Sequence, residues 1–262
     1  MKEVLLLIPA YNEEESIGDF LNKLEQAGVY ELADILVVND FSRDQTVQIA
    51  HEHHVKVINH VYNLGYGSAL QLGYKYAVRK KYRYVIQLDA DGQHDACNVF
   101  NLYEKLTTPD DHGVLPDIVI GSRFAEGSET FHISGLKKIS IGFFRWMIRK
   151  TTGQSIKDPT SGLQGLSRDA FLYYSKFQNF DNMYPDANMI VQMLMLGYRI
   201  VEIPSVMHER QAGESMHSGI WKPLVYMMVM PLSVMAVYFR LKTHQQQRAH
   251  QEAQEGSANV QA

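Results

Sequence analysis

The sequence predicts an α/β fold: a mostly parallel central sheet flanked by helices, with a separate apolar helix near the C-terminus. Three observations lead there. Short apolar, β-branched runs alternate with longer stretches of helical spacing from Val4 to Leu88. Clusters rich in Asp, Asn and Glu directly follow those runs, where strand ends would lie. Residues 223–239 carry no charge at all.

The predicted strands cover residues 4–8, 35–38, 55–58, 84–88 and 118–120. Between them, Ile17, Phe20, Leu21 and Leu24, then Val47, Ile49 and Ala50, then Leu70, Leu72, Tyr76 and Ala77 recur at helical spacing, and a further helix is expected over residues 99–106. Pro9 is expected to turn the chain out of the sheet, because it has no N–H to donate to a ladder. Beyond Gly121 the spacing predicts an amphipathic helix over residues 134–150, basic through Lys137, Lys138, Arg145, Arg149 and Lys150. A turn at 158–162, a Met-rich helix over 187–196, a strand at 199–203 stopped by Pro204, and a polar loop over 208–218 follow. The organisation is therefore a catalytic-type domain over 1–218, an apolar segment over 219–242 that associates with a membrane or docks on a partner, and a disordered polar tail over 243–262.

The bulk numbers remove several classes. The 262 residues suffice for one sizeable core. The net charge of −4 argues against nucleic acid as a partner. The single cysteine, Cys97, excludes an intrachain disulfide and fits a reducing, cytoplasmic setting. The apolar run at 4–8 is too short for a signal core. No glycine fingerprint follows the first strand, which argues against a dinucleotide oxidoreductase.

The chemistry-bearing residues sit at predicted strand ends. Asp89 and Asp91 are two apart, so both carboxylates can turn toward one cation, and Gln93 offers a neutral oxygen. Such oxygen ligands suit Mg²⁺ or Mn²⁺ and leave positions for phosphate oxygens. Tyr11 and Glu13, after Pro9, are placed to stack on a ligand or accept its hydrogens. The segment Asn63-Leu64-Gly65-Tyr66-Gly67 enters a helix and reads equally as close backbone packing or as ligand contact. Asp186 precedes the Met-rich helix, as a cap or as a catalytic acid.

Six motifs occur in order: Pro9-Ala10-Tyr11-Asn12-Glu13, Val38-Asn39-Asp40-Phe41-Ser42-Arg43-Asp44, Asn63-Leu64-Gly65, Asp89-Ala90-Asp91-Gly92-Gln93-His94, Gly121-Ser122-Arg123-Phe124 and Thr160-Ser161-Gly162. In these the chain resembles family 2 glycosyltransferases of the GT-A nucleotide-diphospho-sugar transferase fold, and among them the dolichyl/polyprenyl-phosphate sugar synthases. The resemblance implies a metal-dependent, inverting transfer from a nucleotide sugar (a UDP-hexose, UDP-N-acetylhexosamine or GDP-mannose) to polyprenyl phosphate at the cytoplasmic membrane face, in cell-surface glycan assembly. It implies that Pro9, Tyr11, Asn12, Glu13, Asp40, Gly65, Asp89, Ala90 and Asp91 bind the nucleotide sugar, and that Asp89, Asp91 and Gln93 surround the metal. It implies that Arg123 and Arg210 meet phosphates, and that Asp91, Asp186, Arg123 and Arg210 serve catalysis. The expected partners are the nucleotide sugar, polyprenyl phosphate and the membrane surface, with a small membrane protein or a second copy of the chain also open. Two departures stand out. Phe41 occupies a position where the family usually has glycine, and Asn39 one where aspartate is common. Transfer to a glycan or lipid hydroxyl, and a non-catalytic sugar-nucleotide-binding role, are the alternatives.

Overall fold

The computed structural model describes residues 2–129, 135–209 and 221–260. The elements in chain order are β1 (Val4–Ala10), α1 (Ile17–Gln26), α2 (Val29–Leu32), β2 (Ala33–Asn39), α3 (Thr46–Glu52), β3 (Lys56–Asn59), α4 (Tyr66–Lys80), β4 (Tyr84–Gln87), α5 (Cys97–Thr107), β5 (Ile118–Ser122), α6 (Gly135–Thr152), β6 (Gln164–Ser167), α7 (Arg168–Ser175), α8 (Ala187–Met195), β7 (Ile200–Pro204) and α9 (Trp221–Val260). The seven strands form one sheet in the order β3-β2-β1-β4-β6-β5-β7. Only β6 runs antiparallel to its neighbours, β4 and β5.

The side-chain period of two divides the strands between two cores. Leu5, Leu7, Leu36, Val38, Ile118 and Ile120 face α4, α6, α7, α8 and α9. Val4, Leu6, Ile8, Ile35, Val37 and Val119 face the layer of α1, α3 and α5. A sheet covered on both sides explains the unbroken apolar runs of β1 and β2.

The structure corrects the expectation for Pro9. It lies inside β1, opposite Val38 of β2. Ala10 accepts from the Asp40 N–H on the β2 side, and Leu7 accepts from the Leu88 N–H on the β4 side. Pro9, two residues from Leu7, therefore faces the β4 side. Pairing there ends at Leu7 with Gln87, so Pro9 stands just beyond the β4 ladder, where its missing N–H interrupts no pair of the strand.

Two turns at the rim take left-handed backbone without glycine: Asn12 at φ 53° and Phe41 at φ 67°. They lock together. The Asn12 N–H donates to Ser42 Oγ at 2.9 Å, and the Arg43 N–H donates to Asn12 Oδ1 at 2.9 Å. Phe41 thus adopts the conformation a glycine would take, and its part-exposed ring lies under the Arg43 guanidinium. α9 continues as helical backbone through the polar residues beyond Thr243 to Val260. Within it, Val225–Thr243 is long and apolar enough to cross a membrane by length and composition.

Relief of the left-handed strain predicts that Phe41→Gly leaves stability unchanged or raises it by up to about 1 kcal/mol, whereas Phe41→Ala gives no gain. Urea unfolding of the two variants checks this. A Phe41→Gly variant less stable than Phe41→Ala would show that the ring, not the backbone, decides the turn.

Candidate active site

Three neighbouring parallel strands deliver the site. β2, β1 and β4 all end on one rim, so the loops after Asn39, Ala10 and Gln87 emerge together. The loop from β1 is clamped to the loop from β2. Thr46 Oγ1 accepts the Glu13 N–H at 2.8 Å, and Asp44 Oδ2 accepts the Glu14 N–H at 3.0 Å. Tyr11 projects from this clamp, 46% exposed. Glu13 accepts from Ser16 Oγ at 2.7 Å.

Asp40 is buried at the end of β2. Its Oδ1 accepts from His60 Nδ1 at 2.7 Å and the Leu64 N–H at 2.8 Å, and its Oδ2 accepts the Gly65 N–H at 2.8 Å. Both oxygens thus serve the chain itself, fixing the segment that opens α4. Gly65, at φ 91°, starts that helix. Gly67, the second residue of α4, lies where a Cβ would come within 2.4 Å of the Asp181 carbonyl oxygen. The absent side chain lets α4 press against the loop leading to Asp186.

β4 hands the chain through Leu88, fully buried, to the acidic turn. Gly92, at φ 72°, reverses it. Asp91 is buried beside Ala90, and its Oδ1 accepts the Gln93 N–H at 3.0 Å. Asp89 is more open. The Tyr66 hydroxyl donates to its Oδ1 at 2.9 Å, and His94 Nε2 lies 3.5 Å from its Oδ2. Gly162 borders the carboxylate, and a Cβ there would sit 3.0 Å from both Asp89 Oδ2 and the Tyr66 hydroxyl. Gln93 turns its amide nitrogen to the His208 carbonyl at 3.5 Å, which leaves its amide oxygen to accept.

These donors fit a hard divalent cation. Two carboxylates and an amide oxygen are the ligand types that Mg²⁺ and Mn²⁺ prefer, and the glycine at 162 keeps space beside Asp89. Among the described residues no group of three or more His, Cys, Asp or Glu side chains is placed to hold a metal ion. Two carboxylates and one amide oxygen are fewer ligands than such an ion takes, so phosphate oxygens could supply the others.

Asp186 comes from the other side of the site. It occupies the position before α8, yet its side chain makes no cap bond to that helix. Its Oδ2 instead accepts from the Tyr226 hydroxyl of α9 at 2.8 Å. Burial pushes its carboxyl up to about 6; the Tyr226 hydrogen bond works against this, and nearby Asp89 adds to the rise. Arg123, just past β5, is buried in a bidentate pair: Nε and Nη2 donate to Asp158 at 2.7 and 2.6 Å, and Nη2 also reaches Thr160 Oγ1 at 2.8 Å. Lys137 of α6 lies in electrostatic range of Arg123, Asp158, Asp186 and Asp91.

The structure thus brings Pro9, Tyr11, Asn12, Glu13, Asp40, Gly65, Asp89, Ala90, Asp91 and Gln93 to one rim, with Arg123 and Asp186 facing it. Arg210 lies outside the described residues. Sequence reasoning placed Lys137 on a basic helix face but missed the roles of Tyr66, His94, Asp158 and Tyr226. Tyr66 and His94 stood inside quoted motifs and Asp158 opened the expected 158–162 turn, while Tyr226 gave no local signal.

Residues 6–173 match the family described as Glycosyl transferase family 2. The chain is 31% identical over 227 residues to an undecaprenyl-phosphate mannosyltransferase of Micrococcus luteus, covering 82% of this chain and 88% of that one. It is 28% identical over 227 residues to a dolichol-phosphate mannosyltransferase of Pyrococcus furiosus, covering 83% and 60%. In three dimensions it is similar, at a TM-score of 0.64 and 16% identity over 91% of this chain and 79% of the other, to glucosyl-3-phosphoglycerate synthase of Mycobacterium tuberculosis crystallised with Mn²⁺, UDP-glucose and phosphoglyceric acid. That likeness carries the GT-A-like fold alone. The matched segment holds the strand ends that build the rim, and the chain belongs to glycosyl transferase family 2: it is a glycosyltransferase.

Proposed function

We propose that the enzyme transfers a sugar, with inversion, from a nucleoside-diphosphate sugar to polyprenyl phosphate at the cytoplasmic membrane face. The observation that carries this reading is the meeting of Asp89, Asp91 and Gln93 on one side with Asp186 and Arg123 on the other. The relatives named for polyprenyl-phosphate and dolichol-phosphate transfer support the acceptor class. A donor of the UDP-hexose, UDP-N-acetylhexosamine or GDP-mannose class fits the rim.

Tyr11 and Glu13 hold the nucleoside, while Asp40 fixes the 60–65 segment against which it lies. Asp89, Asp91 and Gln93 would hold Mg²⁺ or Mn²⁺, which when bound neutralises charge on the departing diphosphate. Asp186 stands on the acceptor side. A phosphate monoester has its second ionisation near pH 6, so a carboxylate held at about 6 is matched to take up the last acceptor proton. Arg123, locked by Asp158, and Lys137 supply fixed positive potential for the acceptor phosphate. Transfer to a hydroxyl is the second reading, because the same Asp186 would serve it as an obligatory base.

The outer faces of α6 and α9 support a membrane location. Ile139, Phe143 and Trp146 of α6 are exposed, with Phe143 stacked on Trp146 at 6.0 Å. Met228, Leu232, Met235 and Phe239 make an exposed apolar stripe on α9. Exposed Lys138, Arg149, Lys150 and Lys242 accompany them, which suits anionic headgroups.

Four outcomes are expected. With radiolabelled donors and polyprenyl phosphate, label enters the lipid extract, EDTA abolishes this, and Mn²⁺ or Mg²⁺ restores it. Asp89→Ala and Asp91→Ala each lose about a thousandfold in turnover, equivalent to about 4 kcal/mol of transition-state stabilisation. Label confined to water-soluble product, or indifference to chelator, sinks the reading. Asp186→Asn loses about tenfold to a hundredfold and recovers toward pH 8 if the acceptor is a phosphate; near-total loss at every pH assigns a hydroxyl acceptor instead. A Trp146→Ser/Leu232→Ser variant cosediments about fivefold less with phosphatidylethanolamine–phosphatidylglycerol vesicles, and undiminished cosedimentation refutes the proposed membrane face.

A further inference from the structure

The sequence presents α9 as apolar on all sides, but beside the buried Met230 and Val234 its inward side carries polar groups. Tyr226, Ser233 and Arg240 are spaced seven apart, which sets them on one line along the helix. Each makes a polar contact with α8 or the segment leading into it. Tyr226 donates to Asp186 Oδ2 at 2.8 Å. Asn188 Nδ2 donates to Ser233 Oγ at 2.8 Å and to Asp181 Oδ2 at 2.6 Å, and Ser233 reaches the same Asp181 oxygen at 3.3 Å. Arg240 Nη2 donates to Gln192 Oε1 at 2.5 Å.

The first of these contacts touches the chemistry. Tyr226 is 8% exposed. Its ring meets Phe144 of α6 edge-on at 5.7 Å and Tyr184 edge-on at 5.3 Å, which holds the ring on two sides while its hydroxyl reaches Asp186. Asp186 makes no cap bond to α8, while its own N–H is held by Asn188 Oδ1 at 3.0 Å. The backbone is pinned and the carboxylate takes its direction from Tyr226.

We propose that Tyr226 is a positioning residue whose hydroxyl aims the Asp186 carboxylate at the rim of Asp89 and Asp91, so that α9 completes the active site as well as presenting an apolar face. This rests on the reading that Asp186 serves the acceptor. The groups around Asp186 are Asp89 at the end of β4, Arg123 past β5, Asp181 in the preceding loop, Lys137 of α6 and Tyr66 of α4. Burial, Asp89 and Asp181 disfavour its ionised form; the Tyr226 hydrogen bond and Arg123 favour it.

Tyr226→Phe keeps the ring and removes the hydroxyl. In the transfer assay kcat is expected to fall about tenfold with donor KM within about twofold, and the acid limb of the kcat profile to move to higher pH. Ser233→Ala, on the same inward line but without contact to Asp186, should leave kcat and the limb in place. A second readout needs no turnover. Because the folded Asp186 carboxyl lies above its unfolded value of 3.8, at about 6, its ionisation costs stability as pH rises through that window. With EDTA present, Asp186→Asn should melt higher than wild type by a gap that opens above pH 4 and levels off near pH 6. The same gap between Tyr226→Phe and Tyr226→Phe/Asp186→Asn should level off at higher pH. A gap and limb at wild-type positions in Tyr226→Phe, or a Ser233→Ala variant with the same kcat loss, overturns the proposal. If the gap moves while wild type leaves polyprenyl phosphate unglycosylated, the acceptor reading falls and the coupling of Tyr226 to Asp186 stands.

Discussion

The site depends on one constraint, the parallel pairing of β1 with both of its neighbours. Leu7 lies opposite Leu36 of β2 and Gln87 of β4, with all three strands running the same way. An antiparallel neighbour would send its polar end to the opposite rim and separate Tyr11 and Glu13 from Asp89 and Asp91. The apolar residues of β1 and β2 enforce the pairing, because both faces of these strands are buried and a slip of one residue would exchange the two cores. The polar loops then have one place to meet, outside the carboxyl ends of the strands.

Gathering carboxylates on one rim creates repulsion, and the chain resolves it by giving them different work. Asp40 and Asp158 are turned inward and saturated by the chain's own donors, His60 and the 64–65 N–H groups for one, the Arg123 backbone and guanidinium for the other. They build the frame. Asp89, Asp91 and Asp186 remain for the site, and the Asp186 carboxyl is raised chiefly by its burial, with Asp89 adding to the rise. A cation brought in by a diphosphate would complete this balance. Arg123 contributes as a fixed charge, since its Asp158 pairing leaves it little freedom to move with a ligand.

Much of this was legible in the sequence because its signals are local. Alternating apolar runs and acidic strand ends place β1, β2 and β4 and their loops, while Phe41, noted as a departure from the family's glycine, proves to keep the left-handed turn. The features that escaped are those set by partners far along the chain. β6 is four residues with a glycine, Gln164–Ser167, and becomes a strand only because β4 and β5 leave an antiparallel slot for it. Pro9 stays in its strand because β4 ends two residues too early to need its N–H. Asp186 looks like a helix cap until Tyr226, forty positions later, claims its carboxylate. Three polar residues at heptad spacing in α9 were hidden by the apolar residues between them.

The central claim is that the rim of Asp89, Asp91 and Gln93 is where metal and nucleotide diphosphate meet. Mn²⁺ binding, followed by electron paramagnetic resonance with and without a nucleoside diphosphate, tests it most directly because it needs neither acceptor nor turnover. One Mn²⁺ per chain, tightened by the nucleotide and lost in Asp91→Asn, is the predicted result. Nucleotide-tightened Mn²⁺ binding that survives unchanged in both Asp89→Asn and Asp91→Asn would contradict the account.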